Sequence, residues 1–187
     1  MVTLFRRGLA TAGVFALAFS ACSSGHETLA ATEGQVEPQQ QGAPPTSFTD
    51  PDDVNLPLDL KTLTHQNTAT TVTYTVETYE PFKDNQADFA WAIDKNNDGV
   101  IDNYVSVEFE SNKIDGKFED TKEKDLGSAT VTRTGPNGLK VTFAKKLIGV
   151  AAYQYRVTAL SDLNGNDEED PGETDLAPDT GFYPHRL

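Results

Sequence analysis

The chain has 187 residues, 37% hydrophobic and 9% aromatic, enough for one modest core with appendages but short for two domains. Fifteen basic residues against 29 acidic ones give a formal charge of −14, which excludes the basic surface that nucleic-acid binding needs. A single cysteine, Cys22, excludes a disulfide within the chain.

The N-terminus reads as a secretory signal. Arg6 and Arg7 precede an apolar run over residues 8–20, too short for a spanning helix of about 20 residues. The run closes on Phe19-Ser20-Ala21-Cys22. Residues 17–22 resemble the lipobox of bacterial lipoproteins, with Phe19 standing where Leu is usual. That resemblance implies cleavage after residue 21, lipid on Cys22, and a membrane-anchored place in the bacterial cell envelope, facing the periplasm or the exterior. Residues 1–21 are then the signal peptide and 22–60 a linker. From Ser23 onwards Gln, Pro, Gly, Ser and Thr dominate, with Gln39-Gln40-Gln41 and Pro44-Pro45. Such a composition buries too little apolar area to offset the entropy of ordering. It predicts a disordered tether of about 30 Å root-mean-square span.

The ordered domain is expected over residues 61–187. Val72, Tyr74 and Val76 alternate with polar residues; Phe89, Trp91 and Ile93 follow, then Val105, Val107 and Phe109. A weaker strand covers 113–119, another alternates around Ala129 and Val131, and Pro136-Asn137-Gly138 turns the chain into Leu139, Val141 and Phe143. Tyr153, Tyr155, Val157 and Ala159 complete the set. About seven strands with one apolar face each predict an antiparallel β-sandwich, immunoglobulin-like or jelly-roll in topology.

Between two of those strands lies Asp94-Lys95-Asn96-Asn97-Asp98-Gly99-Val100-Ile101-Asp102. Side-chain oxygens fall at offsets one, three, five and nine, the Val100 carbonyl at seven, and Gly99 at the sharp turn. All-oxygen donors in a tight loop suit Ca²⁺, which takes six to eight oxygens at about 2.3–2.6 Å. Offset twelve is Val105 rather than the bidentate Glu of an EF-hand, and strands flank the loop instead of helices. The loop resembles the calcium hairpins of integrin-type propellers, which implies Asp94, Asn96, Asp98, Val100 and Asp102 as ligands. Asp162, Asn164, Asn166 and Asp170 repeat the spacing with Asp167 in the glycine's place. They are a second candidate cation loop.

No nucleophile elbow, Walker loop or dinucleotide fingerprint accompanies His26, His65 and His185, so catalysis is not expected. The run from Phe89 through Trp91 to Tyr104, with the closing Asp175-Leu176-Ala177-Pro178-Asp179, resembles family-nine carbohydrate-binding-like (DOMON-type) domains. The resemblance implies a calcium-stabilised sandwich that takes a glycan in some members and haem in others. Trp91, Tyr153 and Tyr155 are the candidate stacking residues for a sugar, although their alternation also fits a core. Haem is not expected, because no Met or His falls in a predicted strand. An envelope protein is the alternative partner.

Overall fold

The computed structural model describes residues 44–83, 87–110, 113–161 and 173–187. These residues are all-β and antiparallel, without an α-helix; a 3-10 turn, Lys145–Leu147, follows the eighth strand. The strands are β1 (Thr46–Thr49), β2 (Leu60–Asn67), β3 (Thr71–Thr78), β4 (Ala87–Asp94), β5 (Asn103–Glu110), β6 (Lys113–Asp120), β7 (Asp125–Gly135), β8 (Gly138–Ala144), β9 (Ala152–Ser161), β10 (Thr174–Ala177) and β11 (Tyr183–Arg186). They form one ladder in the order β1-β2-β3-β8-β7-β6-β5-β4-β9-β10, with β11 also on β9.

Alternation accounts for most of these strands. In β3, Val72, Tyr74 and Val76 are buried while Thr73 and Thr75 lie nearer solvent, the period-two arrangement of a half-buried strand. Thr73 and its β8 partner Thr142 join hydroxyls at 3.0 Å on that outer face, a cross-strand pair that reinforces the register. In β4 seven of eight residues are buried, which makes it a central strand. Its neighbours are β5 and β9.

The curl of the sheet comes from β7. Residues 125–128 pair with β6, and residues 129–135 pair with β8. One strand therefore passes from one half of the sheet to the other, as a half-barrel requires. On the concave side Tyr74 of β3 stacks on Trp91 of β4, centroids 5.7 Å apart and planes within 5°, and touches Tyr155 of β9. At the handover β6 offers Gly116. A Cβ there would stand 2.5 Å from Val131 Cγ2 and 2.7 Å from the Ala129 carbonyl oxygen. Gly116→Ala is expected to cost about 1–3 kcal/mol through overpacking. The measurement is the urea midpoint at unchanged slope; an unmoved midpoint would show that β7 yields at no cost.

The two ends of the ladder, β1–β2 and β10–β11, come back against each other. Phe48 of β1 stacks on Tyr183 of β11 at 4.2 Å, and the Leu60 amide donates to Asp175 Oδ2 at 2.6 Å. Among the described residues no ladder joins these ends. Side chains close the seam.

Among the described residues eleven strands stand where about seven were expected. The additional ones are β1, β2, β10 and β11, whose inward positions include His65, Asn67, Asp175 and His185. Polar residues at those positions break the apolar alternation that marks a strand. Order also begins before residue 61: β1 pairs with β2 from Thr46↔His65 to Thr49↔Thr62, and Leu58 is buried.

Candidate metal loop and the buried polar seam

The 94–102 loop joins β4 to β5, as its flanking alternation requires. It is wound around Asp94, which is fully buried while residues 96–100 are exposed. Asp94 Oδ1 accepts the amides of Asn96, Asn97 and Asp98 at 3.2, 2.8 and 3.3 Å. Its Oδ2 accepts the Gly99 amide at 2.8 Å and Gln154 Nε2 at 2.7 Å. So tight a winding puts Asn97 and Gly99 in the left-handed region, at φ 59° and 85°. Burial alone would raise the Asp94 pKa, but the bonds from Gln154, Gly99, Asn97 and Asp98 outweigh it and hold it below the ordinary value.

The remaining candidate ligands also serve the loop. Asp98 Oδ1 accepts the Val100 amide at 2.8 Å and its Oδ2 takes Asn96 Nδ2 at 3.0 Å. Asp102 Oδ2 accepts the Lys95 amide at 2.7 Å, and the Lys95 ammonium lies over the Phe118 ring. The donor set is all oxygen, as Ca²⁺ prefers. Its carboxylates are not drawn to one point: among the described residues no three acidic, histidine or cysteine side chains are grouped so as to hold a metal ion. Cys22 and the second candidate loop, Asp162, Asn164, Asn166 and Asp170, lie outside the described residues.

The candidate sugar-stacking rings are inside. Trp91, Tyr153 and Tyr155 are 1%, 2% and 0% exposed, so none presents an open face to a glycan. Tyr153 and Tyr155 belong to a hydrogen-bonded chain that the sequence reading missed. Asn67 Nδ2 donates to the Arg186 carbonyl at 2.6 Å, which turns Asn67 Oδ1 towards His185 Nε2 at 2.8 Å. Nε2 must then carry the proton, so His185 Nδ1 accepts from the Tyr153 hydroxyl at 2.6 Å. The Tyr153 oxygen accepts in turn from Tyr74 at 2.6 Å. His65 lies parallel to His185 with centroids 3.9 Å apart and meets the Tyr155 hydroxyl at 3.1 Å.

Burial pushes His65 down to about 4; burial, then His65 and Lys145, push His185 down to about 3. Both shifts favour the uncharged rings at pH 7, which spares the stacked pair a like-charge repulsion. The expectation that no histidine lies in a strand is therefore corrected, because His65 is on β2 and His185 on β11.

The same seam has an acidic end. Asp50, Asp59 and Asp175 are all buried, at 4%, 2% and 2% exposure. Among the described residues, Asp50 Oδ2 and Asp59 Oδ1 have no hydrogen-bond partner. Burial and the neighbouring Asp175 push Asp50 up to about 7 and Asp59 up to about 6.

No family model, curated protein or solved structure matches the chain. Its residues alone argue its function.

Proposed function

We propose that the chain is a lipid-anchored, extracytoplasmic interaction domain of the bacterial cell envelope, a β-sandwich stapled at its β4–β5 hairpin by Ca²⁺, and not an enzyme. The lipobox-like segment ending at Cys22 supports the anchor, and the acidic composition supports work with cations rather than nucleic acid. The packing of β3 over β4 and β9 supports two facing layers.

The observation that carries the reading is the loop around Asp94. Its oxygen donors keep the spacing of a calcium hairpin, stand at the solvent-exposed end of two core strands, and are already wound into a single turn. A carboxylate has about four lone-pair sites, so Asp98 and Asp102 can keep their amide bonds and still take an ion. The ion would fix the β4–β5 register and add folding free energy. Burial of Trp91, Tyr153 and Tyr155 turns the choice of partner from a glycan to an envelope protein.

Calorimetric titration of Ca²⁺ into chelator-treated full chain tests the reading. Binding heat is expected, with a melting temperature about 5–10 °C higher at saturating ion. Asp98→Ala should remove most of both. Absence of both the heat and the melting shift in the unsubstituted chain would defeat the calcium assignment.

A further inference from the structure

The acidic end of the seam has no place in the calcium reading, and its chemistry is unusual. Asp50 follows β1, Asp59 precedes β2, and Asp175 is on β10. They are carried by separate segments, yet each bears on another as a like charge. Asp52, Asp53 and Asp179 stand around them: Asp52 by Asp59, and Asp53 and Asp179 by Asp50 and Asp175. From β11 the Tyr183 hydroxyl bonds Asp50 and is pushed up to about 12, by burial first and then by Asp50. From the end of β3 the Tyr79 hydroxyl donates to the Asp50 carbonyl at 2.9 Å, and the Lys61 ammonium of β2 lies over the Tyr79 ring. Glu173, just before β10, is a further buried carboxyl, with one oxygen unpartnered among the described residues.

Buried like charges with unpartnered oxygens need a counter-charge. Here, as in the 94–102 loop, no three such side chains are grouped to hold a metal among the described residues, and a proton needs no such grouping. A proton on a carboxyl supplies a donor and removes a charge in one step.

We propose that the Asp50–Asp59–Asp175 cluster is a proton-operated catch on the seam, holding β1–β2 against β10–β11 when its carboxyls are protonated and easing when they ionise. The direction follows from linkage. Asp50 and Asp59 are raised in the closed state, so their contribution is complete below the ordinary carboxylate pKa. It is lost as pH rises through about 6 and about 7. His65 and His185, lowered in the same seam, act the other way and favour opening as pH falls below about 6.5. The net pH response of the unsubstituted chain thus hides the catch, and a ratio between variants exposes it.

The test is hydrogen exchange of the Leu60 amide, which bonds Asp175 across the seam, in the full chain and in Asp50→Asn. The opening constant of the unsubstituted chain divided by that of Asp50→Asn should rise by about tenfold or more from pH 5.5 to 7.5, since one proton gives up to tenfold per pH unit. The histidine contribution is common to both chains and cancels. Amides in β4 and β5 should show a flat ratio. A flat ratio at Leu60, or an equal rise in β4 and β5, would overturn the proposal.

Carbon-13 titration of the unsubstituted chain needs no variant to fold. Asp50 and Asp59 carboxyl midpoints near the ordinary value of about 4 would also overturn it. Finally, Ca²⁺ added at pH 8 to Asp98→Ala, whose hairpin no longer answers the ion, should leave Leu60 exchange unchanged. Restored protection there would assign the catch to a metal instead of protons.

Discussion

Trp91→Ala is expected to lower stability by about 3–5 kcal/mol, the cost of deleting a large aromatic side chain from a core. That is a large part of the 5–15 kcal/mol that holds a typical domain together. The ring is 1% exposed, stacked on Tyr74 and tilted against Phe89. Truncation leaves a cavity among other rings that cannot all move to fill it. The denaturant midpoint followed by far-ultraviolet circular dichroism should fall with the slope unchanged. A glycan array probed with the unsubstituted chain should stay blank with and without EDTA. A cost below about 1 kcal/mol, together with a retained sugar that Trp91→Ala loses, would place the ring at a binding surface.

Asp94→Ala should remove about 2–4 kcal/mol, because hydrogen bonds to a charged group contribute about 1.5–3 kcal/mol each before solvent takes over the freed donors. Four loop amides and Gln154 Nε2 lose their acceptor together. The exposed amides can turn to water, which keeps the total below the sum of the bonds. Asp94→Asn retains one acceptor and should cost less. The pH dependence has a definite sign: with the folded pKa lowered, Asp94 contributes its stability above the ordinary carboxylate value and loses it as pH falls below about 4. The gap between the unsubstituted chain and Asp94→Ala should therefore narrow in acid. A gap that widens there would mean that the loop is not organised around an ionised Asp94.

Much of the middle of the fold is legible in the sequence. Val72-Tyr74-Val76, Phe89-Trp91-Ile93, Leu139-Val141-Phe143 and Tyr153-Tyr155-Val157 all point into the core, as period-two alternation predicts. The hairpin position of the 94–102 loop is legible for the same reason, since strands on both sides fix it. What alternation does not reveal is a strand whose hidden face is polar. Asn67 on β2 and His185 on β11 satisfy one another across 118 positions, and His65 on β2 bonds the Tyr155 hydroxyl across 90. A pattern read one segment at a time assigns such residues to loops. One signal was available: Leu60, Leu63, His65 and Asn67 keep a single parity from Leu63 onwards, and so do Asp175 and Ala177. The direction of the aromatic rings was ambiguous for a different reason. Periodicity separates two faces, and only the opposite half of the sheet decides which one is covered.

The long sequence separation of the seam sets an order of events during synthesis. Leu60 waits for Asp175 across 115 positions and Asn67 for Arg186 across 119. Because the chain emerges from its N-terminus, β2 stands without its closing partners until residues 175–186 arrive. An apolar inward face left uncovered that long would invite association with another chain. Histidine, asparagine and aspartate at the inward positions let water occupy the gap in the meantime. The polar lining that breaks the alternation of these strands also reduces the apolar surface that the unfinished chain shows to its neighbours.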